Sequence, residues 1–391
     1  MKSTIIFTAA LLSISSLQAA PPIDAVLDEI EQNNTSLAAF RSQMEAMELE
    51  NRTGLLPHDP EIEFAYLWAT PAEIGPRTNL SLIQSFDFPT AYGYRNRIAD
   101  GKGRQILAEY SRRRMEIRLE AALVCIDLIH ANAMGRELQI RVSHARRLAA
   151  GYSRMMELGE TNVLEYNKSL LNQLNLENQA ERNQVERTSL LAELQRLNGG
   201  VPVEFETDNF PDPQIPLDFE QWFAQAEKQN PILQWISSEV EVSQARERLM
   251  RAQALPGFSA GYVSEALAHE QFRGFAVGVS IPLWENRNTV KTARAQTLVA
   301  RELEADQRLQ FYHQLKAGHH KTVELYESTR RFREGLVDLE QFRLLEVALT
   351  QGEISLLSFL TELEFLYQGM DRLLDAQKEL HISLAILNQY R

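Results

Sequence analysis

The chain has 391 residues, 44% of them hydrophobic, with only 14 Pro and 18 Gly, which excludes a disordered or collagen-like polypeptide. A net charge of −13 argues against a nucleic-acid binder, which needs a basic face. Cys125 is the only cysteine, so no intrachain disulfide and no cysteine-based metal site can form.

Residues 1–20, MKSTIIFTAALLSISSLQAA, carry Lys2, an apolar stretch and small residues before Pro21. This is the pattern of a secretory signal peptide, cut after Ala19 or Ala20; as a membrane anchor the apolar run is too short. No later run approaches the roughly 18 apolar residues of a membrane helix, so membrane entry would require a closed β-barrel. The absence of a cysteine at the cleavage site predicts no N-terminal lipid anchor.

From 24 to 53, Val26, Leu27, Ile30, Leu37, Phe40, Met44 and Met47 recur at three- and four-residue spacings and predict a helix, ended by Gly54 and Pro57. Ile62, Phe64, Tyr66 and Trp68 then alternate with Glu63, Ala65 and Leu67, the period of a strand. A loop with Pro71, Gly75 and Pro76 leads to a second strand. There Leu80, Leu82, Phe86 and Phe88 share one face and Asn79, Ser81, Ser85 and Asp87 the other, with Ile83 and Gln84 out of phase. Pro89 ends it, and a helix of roughly 67 residues, spanning about 100 Å, is predicted to about Met156. The turn Leu158-Gly159-Glu160-Thr161 precedes a further helix from about Asn162 to Leu197, with Val163, Tyr166, Leu170, Leu190, Leu194 and Leu197 along it. The linker 201–217 is rich in proline and cannot be helical.

The second half repeats this order. A helix is predicted over 219–254, a hairpin over about 258–281, and Pro282 takes the place of Pro89. A long helix is expected to reach about Thr350, Gln351-Gly352-Glu353 matches the first turn, and a last helix ends at Tyr390. Matched landmarks lie about 190–199 residues apart, which identifies a tandem duplication. Its parts are 21–200, with a hairpin at about 62–88, and 218–391. In the last helix Leu356, Leu363, Met370, Gln377 and Leu384 recur every seven residues, and Phe359, Leu366, Leu373, Leu380 and Leu387 do the same, a coiled-coil seam.

The strands are apolar on one face and small or polar on the other, as a transmembrane barrel requires. The outward set is Ile62, Phe64, Tyr66, Trp68, Leu80, Leu82, Phe86, Phe88, Phe258, Tyr262, Phe275, Val277, Val279 and Ile281. Glu63, Ser81, Ser85, Asp87, Ser259, Gly261, Ala276, Gly278 and Ser280 would face a lumen. A soluble sheet packed on its own helices shows the same alternation; the leader and the long helices favour the barrel. Four strands cannot close a barrel, so several chains must contribute, and three would give twelve strands.

Taken together, the duplicated helix–hairpin–helix plan, the LPHDPEIEFAY and LPGFSAGY segments, the FDFP and VSIPLW strand ends and the turns LGETNVLEYNKS and QGEISLLSFLTELEFLYQ resemble the TolC-like outer-membrane efflux proteins. The resemblance covers essentially the whole mature chain. It implies a mainly α fold with transmembrane β: a homotrimer with a twelve-stranded β-barrel, four strands per protomer, and a trimeric α-helical barrel crossing the periplasm of a Gram-negative bacterium. It implies a passive exit duct for drugs, metal ions or other small solutes, whose partners are a periplasmic adaptor (membrane fusion protein) and an inner-membrane pump. Leu158, Gly159, Glu160, Thr161, Gly352, Glu353 and Ser355 would form the adaptor-docking tip, although glycine and hydroxyl residues there also serve plain helix reversal. Family members often carry acidic residues two turns past the second tip glycine; here Ser358 and Thr361 stand there, beside Glu362. Glu165 is the better candidate for a charged lumen constriction.

His313, His319 and His320 lack ligand spacing, and no catalytic or nucleotide-binding motif occurs, so neither metal, cofactor nor enzymatic activity is expected. The competing reading is a periplasmic coiled-coil adaptor or structural protein of an export system. Such adaptors place one coiled-coil hairpin between halves of a lipoyl-like domain, whereas here each kind of hairpin occurs twice.

Overall fold

The computed structural model describes residues 23–71, 75–216, 218–267, 270–284, 286–336 and 340–390; the expected signal peptide lies outside them. The first half forms α1 (Ile23–Asn33), α2 (Thr35–Asn51), β1 (Glu61–Leu67), β2 (Arg77–Phe86), α3 (Thr90–Glu157) and α4 (Val163–Leu197). The second forms α5 (Phe219–Gln229), α6 (Pro231–Gln253), β3 (Gly257–Ala266), β4 (Gln271–Ser280), α7 (Thr289–Gly335), α8 (Glu340–Thr350) and α9 (Leu356–Asn388).

Both helices that precede a hairpin are split, at positions where one helix was expected. The breaks fall at Asn34 and Asn230. The Asn34 side chain accepts from the Leu37 amide at 3.0 Å, and that of Asn230 from Ile232 at 2.8 Å. Both asparagines are buried, and each replaces a missing intrahelical partner at the start of the next helix. Pro231 adds a steric reason, since it disfavours helical backbone in the residue before it and suits the first helical position. The helix expected to reach Thr350 also differs, with α7 ending at Gly335 and α8 beginning at Glu340.

The chain packs as two compact units, each drawing on both halves. The first comprises residues 120–212 and 328–382 together with α1. Here Leu356, Phe359 and Leu363 of α9 are buried against Leu148 and Tyr152 of α3 and Phe342, Leu345 and Leu349 of α8. The heptad seam predicted in α9 is thus the packing face over this stretch. At the other end of the hydrophobic pattern, Asn198 is fully buried. Its amide donates to Glu29 at 2.8 Å, and its carbonyl accepts from Asn33 at 3.1 Å, fixing α1 against the end of α4. The proline-rich linker is irregular, as its composition dictates, but anchored. Phe205 is buried, and Asn132 donates to the carbonyls of Phe205 and Thr207 at 3.3 and 3.0 Å.

Polar pairs join α3 to α9 within this unit. Lys378 meets Asp127 at 2.8 Å, and His130 meets Asp375 at 3.0 Å. Arg141, 2% exposed, binds both carboxylate oxygens of Asp371 at 2.6 and 3.2 Å and lies 4.4 Å over the ring of Tyr367. Farther along α9, His381 stacks on Phe210 of the linker at 4.9 Å. Burial, with a smaller contribution from Arg333, lowers its pKa from 6.5 to about 4. The unfolded chain therefore binds the proton more readily, and the stability carried by neutral His381 is complete above about pH 6.5 and lost as pH falls towards about 4. Thermal melts of the purified protein across that range should show a downward drift that His381→Leu flattens.

The second unit holds the sheet and residues 34–119, 213–327 and 383–391. Its main cluster buries Trp222, Leu233, Phe311, Leu315 and Leu387, with Phe219, Phe223 and Tyr390 packed around them. The sheet is antiparallel in the order β1-β2-β3-β4, with β1 and β4 as edges. Gly261 is required by its position: a Cβ there would stand 2.3 Å from the Leu82 carbonyl oxygen and 3.1 Å from Cγ1 of Ile83. Gly261→Ala should force β2 and β3 apart at the centre of the sheet. The expected cost is about 1–3 kcal/mol, read as a lowered unfolding midpoint of the purified protein.

Candidate functional site

The sheet presents two unlike faces. Pairing of Ile62 with Leu82, Phe64 with Leu80, Leu82 with Tyr262, Phe86 with Phe258, Tyr262 with Phe275, Phe258 with Val279, and Ala260 with Val277 puts the expected apolar set on one side. Apart from half-buried Tyr262, these side chains lack cover: Phe275 is 90% exposed and Val277 81%. Ser81, Ser85, Ser259, Gly261, Ala276, Gly278 and Ser280 line the opposite side, with Glu61 and Glu63 on β1. Ile83 and Gln84 cause no slip in register. They are two residues of the opposite polarity to their face, and Gln84 satisfies its amide on the backbone carbonyls of His58 and Ser85.

Trp68, Phe88 and Ile281 fall just past the strand ends. Trp68 is 82% exposed, whereas Phe88 is half-buried with its ring 6.5 Å from that of Phe258. Between Phe88 and α3, Pro89 halts the strand, since proline lacks the N–H a ladder needs. The Phe88 carbonyl accepts from Ala91 at 2.8 Å, the Asp87 amide donates to the Tyr92 hydroxyl at 3.0 Å, and Asp87 pairs with Arg95. Pro282 follows β4 in the same way, although α7 starts only at Thr289.

The two helix-reversal turns of the first unit are built alike. Gly159 and Gly352 have φ of +75° and +74°, a conformation glycine adopts without the Cβ penalty. In the first, Glu160 donates to the Met155 carbonyl at 2.8 Å and Gly159 to Met156 at 3.1 Å; in the second, Glu353 donates to Ala348 at 2.9 Å and Gly352 to Leu349 at 3.1 Å. This pairing closes the last turn of α3 and of α8. Capping differs from expectation in the first turn, where Asn162, and not Thr161, accepts from the amides of Leu164 and Glu165, each at 3.0 Å. Ser355 caps α9 through the Ser358 amide at 3.1 Å. Leu158, Gly159, Glu160, Gly352, Glu353 and Ser355 are exposed and Thr161 is half-exposed.

Of the constriction candidates, Glu165 pairs with Lys168 at 2.9 Å. Ser358 is engaged with Ser355 at 3.0 Å, and Thr361 donates to the Leu357 carbonyl at 2.8 Å. Glu362 is exposed beside a groove lined by Phe332, Phe365 and Arg372. The histidines stay apart in environment: the His319 ring donates to the Pro216 carbonyl at 2.8 Å, while His313 and His320 are exposed. The ties from α3 to α9 were missed by sequence reasoning. Asp371, Asp375 and Lys378 at three- and four-residue spacing were the only signal, and periodicity cannot say which helix faces them.

The described residues form a mainly helical, internally repeated chain with one small sheet, bare and apolar on one face. Solved structures place it more narrowly. CusC, whose structures describe transmembrane channel formation, matches with a TM-score of 0.77 at 15% identity, over 94% of this chain and 91% of that one. The CmeC outer membrane channel of Campylobacter jejuni matches at 0.77 and 12% identity, over 100% and 93% of the two chains. The open state of the MtrE outer membrane channel of Neisseria gonorrhoeae matches at 0.69 and 14%, over 97% and 93%. No protein-family model and no curated protein matches the sequence. The fold is that of the TolC-like outer-membrane channels.

Proposed function

We propose that this chain is one subunit of an outer-membrane efflux channel, a passive exit duct that spans the outer membrane and the periplasm of a Gram-negative cell. The observation that carries this reading is the sheet: an uncovered apolar face opposite a face of serine, glycine and alanine. Among the described residues no helix is long and apolar enough to cross a membrane, which leaves the strands as the element that can do so. Both edge strands need partners in lipid, and four strands fall short of the roughly eight of the smallest barrels. Three copies supplying twelve strands meet both needs.

In this reading Phe64, Tyr66, Trp68, Leu82, Phe86, Phe88, Tyr262, Phe275 and Val277 face lipid, and Pro89 and Pro282 mark the passage from sheet to tunnel wall. The turns at Gly159 and Gly352 supply the surface for a periplasmic adaptor and through it an inner-membrane pump, with Glu165 as the candidate for a charged lumen constriction. Drugs, metal ions or other small solutes are the cargo class, chosen by the pump. Fractionation should place the protein in the outer membrane as a heat-labile trimer that conducts ions in planar bilayers. Recovery as a soluble periplasmic monomer would overturn the reading.

A further inference from the structure

Within the first unit, α3, α4, α8 and α9 form a cavity of about 400 Å³. Tyr152, Phe342, Phe359 and Tyr367 line it, so its walls are largely aromatic. That volume lies in the range of small-molecule sites and far exceeds the share of one water. Walls of this kind gain from a flat apolar ring and little from water.

Two polar atoms in the lining have no hydrogen-bond partner among the described residues. Asp371 takes both terminal nitrogens of Arg141, at 2.6 and 3.2 Å, and leaves the buried Nε–H of this 2% exposed residue without an acceptor. Nδ1 of His144 is likewise buried and unpartnered, although its ring is held in a stack on Phe342 at 4.3 Å. Arg141 and His144 stand three residues apart on α3, and so on one face of it. Burial, with Arg147 beside it, lowers the pKa of His144 below 6.5 against the opposite pull of Glu346, and the ring is neutral at pH 7.

The two atoms call for different partners. Arg141 Nε–H can only donate, whereas a neutral imidazole protonated at Nε2 accepts at Nδ1. A carbonyl oxygen answers only the first; a hydroxyl answers both. Charge argues for a neutral molecule, because Arg141 is already paired with Asp371, and the exposed lining residues Arg147 and Glu346 have opposite signs.

We propose that this cavity binds a neutral phenol: its ring lies among Tyr152, Phe342, Phe359 and Tyr367, and its hydroxyl accepts from Arg141 Nε–H and donates to His144 Nδ1. The site goes beyond the channel reading and does not rest on it. Calorimetric titration of the full-length protein in detergent with 2-naphthol, against the same micelles without protein, should show saturable binding at one site per chain. The thermal midpoint should rise with 2-naphthol concentration. 2-Methoxynaphthalene keeps the acceptor but loses the donor, and should bind roughly fivefold more weakly, the worth of one hydrogen bond. His144→Leu should weaken 2-naphthol alone and so erase that preference. Gly151 lines the same cavity, and a Cβ there meets open space. Gly151→Phe fills it with a better helix former than glycine, so the fold is kept and binding of both compounds is lost. Heat that rises without saturation, or binding that neither substitution changes, would overturn the proposal, and water then serves Arg141 and His144.

Discussion

Phe86→Asp combined with Val277→Asp should abolish outer-membrane assembly. The two side chains share the uncovered face of the sheet, on β2 and β4. A charge on the lipid side of a barrel costs up to about 2–4 kcal/mol for a basic residue at the midplane, less for Asp and less towards the interface, and in a trimer each substitution occurs three times. Heat-modifiable trimer on gels and the outer-membrane fraction should both vanish, while the protein is still exported. Ser259→Asp, on the opposite face of β3, is the control and should assemble. If the double variant assembles normally, the apolar face does not meet lipid.

Asp371→Ala should strongly destabilise the first unit. It leaves the Arg141 guanidinium, 2% exposed, without the carboxylate that binds two of its nitrogens. Removing one partner of a buried pair costs about 3–5 kcal/mol, because the remaining charge is uncompensated. Asp371 itself has 35% side-chain exposure, so the lower end of that range applies. Tyr367 retains a cation–π contact with Arg141 but cannot neutralise it. The double change Arg141→Met with Asp371→Leu removes the charge as well as the bond, and should recover most of the lost stability. Thermal unfolding of the purified protein decides between the two outcomes. Equal destabilisation by single and double variants would mean that packing, not charge, dominates there.

Much of this architecture could be read from residues because its signals are local and occur twice. Alternation along 62–68 and 275–281 fixes which side chains share a face, since a pleat admits only two. Gly159 and Gly352 announce their turns because few other residues tolerate a positive φ. Local reasoning failed where burial decided the outcome. Asn34 and Asn230 are ordinary polar residues inside helical patterns; only their burial, with amides of the next turn converging on each, makes them caps. Pro231 is the one local signal of the second break. Thr161 and Asn162 are both plausible caps, and the backbone path after Gly159 selects the second. The Arg141–Asp371 pair spans 230 positions, a separation no periodicity reaches.

The unpaired edges of β1 and β4 also bear on how such a protein can be made at all. A lone protomer has no compatible solvent. Water rejects the apolar face, and lipid rejects rows of unbonded amides and carbonyls. In the trimeric barrel proposed above, insertion and oligomerisation would be a single event, with a yield that climbs steeply with the supply of protomers. A surplus of single subunits is the hazard, because an open edge recruits any strand it meets. On that reading the open edges and bare face would need cover between export and insertion, and a lack of it would be felt first as aggregation, not as loss of transport.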